Sequence, residues 1–453
     1  MNKVHFVLLS ACIIFHLTAG DKLRLGYKNE QGSFCTSLGL HYLCRHKNDC
    51  MRQLYLLIII AYCFIVTIVM PVSANVQQHE VHPLSPQAKI SLLTSSPNDE
   101  AVYTYYGHTA LRVYDPELKL DLVYNYGIFY FSKNFIYRFA KGETDYKLEA
   151  YPFNYYLIEY KERGSEVCEQ VLNLLPEEKE SLWQALELNR RPENQVYRYN
   201  YFFDNCATRP VVMIEKSING TIKYVPSAKY PSFRDVINHC TRTNPWITFG
   251  CDIVMGLPTD RAMTLKETFF QPDYLKEAFG KAEIVRNGIS EPLIIKTNIL
   301  SEKTNNMDNK PPFITSPLLC FSLVFILIMI LTWSEYRRRI YCRLIDCILF
   351  FAAGTAGSIL FFLSFISVHP GIFPNISLLW LHPLHLVGVI FFSVKKFNNM
   401  AFWYHLINFA AILIMSVAWF FIPQHFNIAF IPLIASLWLR SGWTIFRKKK
   451  SLG

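Results

Sequence analysis

The sequence predicts an α+β domain followed by an all-α transmembrane bundle of about five helices. Three observations carry that prediction. Residues 84–280 alternate short β-branched and aromatic runs with helix-period segments, so they read as one globular domain. Residues 313–447 instead hold apolar runs, each near the roughly 20 residues that cross a bilayer. Basic clusters at Arg337-Arg338-Arg339, Lys395-Lys396 and Arg447 to Lys450 sit beside those runs, as membrane topology requires. The formal net charge of +10 therefore reads as topology, with the membrane as partner and no nucleic acid.

From the N-terminus, residues 1–50 hold a weak apolar start and an irregular segment with Cys35, Cys44 and Cys50. Translation is expected to start at Met51, which makes them an extension outside the mature protein. Residues 51–74 have a charged opening, an apolar middle and a small-x-small site at Val72-Ser73-Ala74. That is the grammar of a signal peptide, with an uncleaved anchor as the alternative. Residues 75–280 follow as the exported domain. Within it, 90–94, 110–114 and 121–125 are strand-like. Pro176 opens a helix over 177–188, with glutamates in its first turn and Leu182, Trp183 and Leu186 at helical spacing. Residues 197–203 are aromatic and extended. Residues 211–217 are helix-like, and Pro210 limits that helix's start because proline fits only a first turn. Polar residues 281–312 read as a linker. Spans are expected to end near Trp333 and to cover about 344–368, 377–394, 401–421 and 428–446, with 448–453 as a basic cytoplasmic tail. With the domain outside, every basic cluster falls inside.

The exported domain keeps Cys168, Cys206, Cys240 and Cys251, of which Cys240 and Cys251 are close enough to pair in an oxidising compartment. No Cys-x-x-Cys pair has zinc spacing, so neither a structural metal nor a cofactor is expected.

Chemistry concentrates in Tyr-Phe-Phe-Asp-Asn-Cys-Ala-Thr-Arg, residues 201–209. Cys206 stands where the strand-like run stops and the helix-like run begins. Free N–H groups at a helix start favour a thiolate and can hold the oxyanion of an acyl intermediate. About a hundred residues earlier, Gly107-His108-Thr109 puts His108 on a strand. Histidine first and Asn-Cys second is the order of a circularly permuted papain-like site, which points to acyl transfer. His108 would take the thiol proton. Asn125, on the next strand-like run, would orient the imidazole, with Asp115 and Asp121 as competitors. The plainer readings are an inert or disulfide-bonded Cys206, paired with Cys168, and an ordinary strand histidine. Tyr199 and Tyr201 could donate to an oxyanion, with core packing as the competing role. Asp204, Asn205 and Arg209 flank the thiol as candidate substrate contacts. In the membrane part, His369 and Asn375 fall in the outer loop between the second and third spans. His382 and His385 lie three apart on the third span. Ionisable groups at that depth often mark a pathway or site, and an interfacial histidine is the alternative.

Several motifs in order resemble the Lnb family, the lipoprotein N-acyltransferases of Bacteroides-type bacteria. They are Tyr106 to Val113, Tyr124-Asn125-Tyr126-Gly127 and Tyr199 to Arg209, then Phe233-Arg234, Pro245-Trp246, Phe249-Gly250, His369-Pro370 and Asn375 to Leu381. The likeness covers roughly residues 84–440. It implies a permuted NlpC/P60-like cysteine fold in a periplasmic domain held at the inner membrane. It also implies transfer of an acyl chain from a phospholipid donor, through a Cys206 thioester, to the N-terminal α-amine of a diacylated lipoprotein acceptor. Lecithin-retinol-acyltransferase-like enzymes are similar in their strand histidine and Asn-Cys pair, but differ after the cysteine, so only His108 and Cys206 carry over from them. NlpC/P60 relatives that cut cell-wall peptides make a membrane-anchored amidase or endopeptidase the rival enzyme. A non-catalytic membrane sensor or scaffold is the rival from another class.

Overall fold

Short runs of β-branched and aromatic residues build the first half of the chain into a large sheet and a small one. In the computed structural model, the described residues are 82–452 apart from Ser132, Ala228, Asn306 and 308–310. The expected extension at 1–50 and signal peptide at 51–74 lie outside them. The strands are β1 (Lys89–Ser95), β2 (His108–Asp115), β3 (Leu120–Phe129), β4 (Asp145–Pro152), β5 (Val167–Leu172), β6 (Val196–Arg198), β7 (Thr221–Lys223), β8 (Glu283–Arg286), β9 (Ile289–Pro292) and β10 (Ile294–Ser301). The helices of this half are α1 (Phe135–Lys141), α2 (Phe153–Glu162), α3 (Pro176–Asn189), α4 (Thr208–Ser217), α5 (Phe233–Thr241), α6 (Pro245–Val254), α7 (Leu265–Thr268) and α8 (Pro272–Lys281).

Seven strands form an antiparallel sheet in the order β10-β5-β1-β2-β3-β4-β6, and β7-β8-β9 form a small second sheet. β1 is buried at all but its first residue because helices cover it. α2 packs across β3, β4 and β10, and its Phe153, Tyr156 and Tyr160 join Leu93, Ala110, Val123 and Val167 in one core. α3 starts at Pro176 with the Leu175 N–H donating to Glu178 Oε2 at 2.8 Å, and buries Leu182, Trp183 and Leu186.

Three local expectations are corrected. Residues 283–301 are strands, not linker, and β10 pairs with β5 at the sheet edge. The extended run expected over 197–203 ends at Arg198. Beyond it, Asp204 N–H donates to the Asn200 carbonyl at 2.9 Å and closes a tight loop. Cys240 and Cys251 are free thiols. Cys240 is packed into an apolar cluster with Phe202, Phe233 and Phe270, and Cys251 lies against its edge.

The second half is a helical bundle of α9 (Pro317–Arg338), α10 (Arg343–Phe365), α11 (Leu384–Ser393), α12 (Asn398–Ala418) and α13 (Phe430–Leu452). Among the described residues, four segments are long and apolar enough to cross a membrane: Pro317–Arg338, Arg343–Phe365, Ile376–Ser393 and Lys395–Phe421. The fifth expected span, α13, is long enough but carries Arg440 at its middle. That guanidinium is fully buried, with Asp346 at 2.6 Å and Glu335 at 2.9 Å. The third span is broken. A 3-10 turn over Ile376–Leu379 precedes α11, and Pro383 fits only at the helix's opening.

Domain and bundle meet through the outer loop 366–375. Gly256 N–H donates to the Gly371 carbonyl and Leu257 N–H to that of Pro374, both at 2.8 Å. Arg234, 1% exposed, holds this joint by donating to Asp252, Asp260 and the carbonyls of Met255 and Gly256. Asn427, just before α13, donates to the other oxygen of Asp252 at 2.8 Å.

Candidate active site

β2 starts with His108, and β3 runs antiparallel beside it with Leu111 opposite Tyr124. Between Asn125 and Ile128 the β3–β4 register slips, a bulge that re-aims side chains at this end of the sheet. Gly127 occupies the bulge at φ +91°. A Cβ there would sit 3.3 Å from Cys206 Cβ and 3.9 Å from both His108 Cε1 and Tyr199 Cε2. Thiol and imidazole thus converge on one point, which only a glycine leaves open.

His108 Nε2 lies 2.6 Å from Asn125 Oδ1, and Asn125 Nδ2 donates to the Tyr151 hydroxyl at 2.7 Å. An oxygen that accepts fixes the proton on Nε2 and leaves Nδ1 with a free lone pair. The ring lies parallel to Tyr160 at 6.2 Å. Burial pushes His108 down to about 4, opposed by the Asn125 bond and helped by the Arg163 charge. Burial pushes the Cys206 thiol up to about 11, opposed by backbone N–H groups of Thr109, Cys206 and Ala207. At neutral pH the pair therefore rests as thiol and imidazole. In any attack by this thiol, transfer of its proton to Nδ1 would accompany the step, and the N–H groups of Thr109 and Cys206, with that of Ala207 shared with Asn205 Oδ1, would favour the charge as it forms.

The chain after Cys206 turns at once into α4, two residues on, with Pro210 in the first turn. Asn205, 2% exposed, makes this turn. Its Oδ1 accepts from Ala207 and Thr208 N–H at 2.9 Å each, and its Nδ2 donates to the Tyr201 and Phe270 carbonyls. All four hydrogen-bonding positions of the Asn205 amide are thus used inside the protein, in the turn that presents Cys206. Asp204 and Arg209 form a two-pronged pair at 2.6 and 2.8 Å, with the guanidinium 3.5 Å over Tyr197. They too brace the loop.

Tyr199 borders the thiol and stacks on Tyr146 at 4.0 Å. Tyr146, Tyr156, Tyr197 and Tyr199 all feel the sulfur's charge, and burial pushes each phenol up, so they wall the site as neutral groups. Tyr201 turns instead toward Tyr106 and Phe270. Asp115 takes the N–H and hydroxyl of Ser85, and Asp121 pairs with Arg112, so neither contacts His108.

The membrane-part candidates lie elsewhere. His369 Nε2 donates to the Phe139 carbonyl at 2.8 Å, and Asn375 Nδ2 donates to the carbonyls of Ile253 and Val254 at 3.0 Å, so both serve the joint. His382 and His385 stack at 3.9 Å, and His385 contacts Tyr404 and the Trp380 carbonyl inside the bundle. The joint still reaches the site loop, because Gly371 approaches Phe202 so closely that a Cβ would lie 3.2 Å from its ring.

Gly127, Tyr151 and the Thr109 N–H border the pair at places that sequence reasoning did not single out. A glycine inside a strand pattern, two residues after Asn125, was the available signal for Gly127. The N–H and the Tyr151 hydroxyl left no sequence trace. A shallow surface cleft along Pro83, Leu84, Pro176, Glu180 and Leu188 is lined by none of these groups. Among the described residues no three His, Cys, Asp or Glu side chains are grouped to hold a metal ion.

Residues 84–239 match the family model described as the Lnb N-terminal periplasmic domain, and residues 308–451 match the Lnb transmembrane domain. No curated protein and no solved structure gives a significant match.

Proposed function

This chain belongs to the Lnb family, as a membrane protein with a periplasmic domain, and on that premise we propose that it is a lipoprotein N-acyltransferase of the inner membrane. The observation that carries this reading is the convergence of Cys206 and His108 on Gly127, with Asn125 bound to the far side of the imidazole.

Cys206 Sγ attacks the ester carbonyl of a phospholipid while its proton passes to His108 Nδ1. The tetrahedral intermediate collapses, the C–O bond breaks, and His108 returns the proton to the departing lysophospholipid oxygen. The α-amine of a diacylated lipoprotein's N-terminal cysteine then attacks the thioester. His108 takes a proton from the nitrogen, the C–S bond breaks, and the thiolate recovers that proton as the amide leaves. Backbone N–H groups near the sulfur are the nearest donors to the oxyanion in both steps.

Water competes with the amine for the thioester. His108 and Cys206 are each half-buried by surface exposure, and the desolvation that depresses the imidazole and raises the thiol limits water at the pair, which favours transfer over hydrolysis. Anchoring the domain to a bundle in the leaflet that holds donor and acceptor raises their effective concentration.

Mass spectrometry of lipoprotein N-terminal peptides tests the reading, using cells that lack any redundant enzyme and carry wild-type or Cys206→Ala protein. The amide-linked chain is expected to vanish with Cys206→Ala. Its persistence overturns the reading.

A further inference from the structure

α1 has an unusual composition for its setting. None of its seven residues, Phe-Ile-Tyr-Arg-Phe-Ala-Lys, is buried. Ile136 is 59% exposed, Tyr137 57%, and Phe131 just before the helix 76%. Patches of this kind on a protein surface mark a docking face.

What covers this one follows from its attachments. The Val368 N–H donates to the Lys141 carbonyl at 2.8 Å, and His369 to that of Phe139, so the end of α1 is bonded to the loop between α10 and the third span. That loop lies where the chain leaves and re-enters the bilayer. Phe365 before it and Phe373 within it are each 55% exposed and 5.1 Å apart, so this loop is itself apolar where it leaves α10. Phe139 of α1 meets the His369 ring edge-on at 6.2 Å, so the patch adjoins that loop. Arg138 and Lys141 on the same short helix are paired with Asp145 and Glu143, at 2.6 and 2.7 Å, so the patch presents its apolar side chains without an unpaired cation among these two.

A second observation ties the patch to the thiol. Phe131 and Phe135 contact at 4.8 Å, Phe129 contacts Phe131 at 5.9 Å and Tyr146 at 4.8 Å, and Tyr146 stacks on Tyr199 beside Cys206. An unbroken row of rings runs from the exposed helix to the sulfur.

We infer that α1 and Phe131 lie in the outer leaflet and form the entry by which one phospholipid acyl chain passes along this aromatic row to Cys206. The membrane contact stands on the geometry alone. The chain's path to Cys206 rests on the acyltransfer reading above.

The full-length protein in liposomes with bromine on the lipid acyl chains provides the test. Phe131→Trp and Ile136→Trp are compared with Leu118→Trp, which lies in the β2–β3 turn at the other end of that hairpin from His108. The emission added at 131 and 136 is expected to fall about twofold or more, and that at 118 to stay unchanged, because only the former lies at acyl depth. Equal quenching at all three sites overturns the membrane contact and leaves a protein partner as the occupant. A Phe131→Asp, Ile136→Asp double variant separates the second claim. Its Cys206 thioester should form about tenfold more slowly from vesicle phospholipid, and at the wild-type rate from a water-soluble short-chain acyl thioester. Wild-type loading from vesicles overturns the entry path. If wild-type protein is loaded by neither donor, the acyltransfer reading fails while the bromine result still decides the membrane contact.

Discussion

Burial holds His108 at about 4 and Cys206 at about 11, so between those values the pair stays neutral. The base must be unprotonated to accept the thiol proton. Activity should therefore rise with pH through about 4 and remain flat across neutrality. A kcat/KM profile whose acid limb sits at the ordinary histidine value near 6.5 contradicts a buried base. Alkylation of Cys206 by iodoacetamide should likewise keep accelerating toward pH 11, since the thiolate is the reactive form. Gly127→Ala is the sharpest residue test. Its φ of +91° disfavours an L side chain by roughly 1–2 kcal/mol, and the new Cβ would press on Cys206. Acylation should fall well below that of a neighbouring surface variant at equal folded protein, measured by thioester capture. Much of this site was legible from residue type. His108 and Cys206 stood out by order and neighbours, and the structure puts Asn125 against the ring while Asp115 and Asp121 are held by Ser85 and Arg112. The bonds of the flanking Asp204, Asn205 and Arg209 within the turn were not legible, because proximity in sequence to a cysteine looks the same whether a side chain faces outward or braces the turn.

Among the elements, the turn into α4 is held by one side chain. Asn205 satisfies two N–H groups at the helix start and two carbonyls from separate segments. Asn205→Ala leaves those groups buried without partners, and losing a helix-start cap costs about 0.5–2 kcal/mol. A lower melting temperature should accompany slower thioester formation in that variant. Asn205→Asp should restore part of both, since its carboxylate still accepts from Ala207 and Thr208. A variant with wild-type stability would show that the turn holds itself. The elements legible in the sequence were those that bury a face. β1, β2 and β3 announce themselves through runs of β-branched and aromatic residues, and α3 through helical spacing of Leu182, Trp183 and Leu186. β9 and β10 read as linker because each is an edge strand, which draws its stability from backbone pairing, and the four-residue β8 between β7 and β9 buries Ile284 alone. β10 has no buried residue, so its side chains carry no apolar pattern.

At the scale of the molecule, the domain is fastened to its bundle through charge buried at the joint. α13 shows why such charge confuses a sequence reading, since Arg440 interrupts an otherwise apolar span and its partners Glu335 and Asp346 lie about a hundred residues away. Arg234 plays the comparable part at the joint. Its guanidinium faces Asp252 at 3.0 Å and Asp260 at 2.8 Å, with each carboxylate at most 9% exposed, and the carbonyls of Asp252, Met255 and Gly256 complete its bonds. Removing it strands two carboxylates in a dry environment, which typically costs 3–5 kcal/mol, roughly the scale of a domain's whole stability. Arg234→Ala should therefore lower the melting temperature of the full chain steeply. Arg234→Lys should recover little, because an ammonium cannot reproduce a planar fork that serves two carboxylates and three carbonyls. Replacing Asp252 and Asp260 by Asn together with Arg234→Met should recover more than the lysine does, since it removes the stranded charge itself. If the lysine variant proves the better of the two, the joint is held by charge alone and not by the geometry of the fork. Because Gly371 of the same joint abuts Phe202 in the loop that carries Cys206, loss of the fork should also slow thioester formation in protein that remains folded.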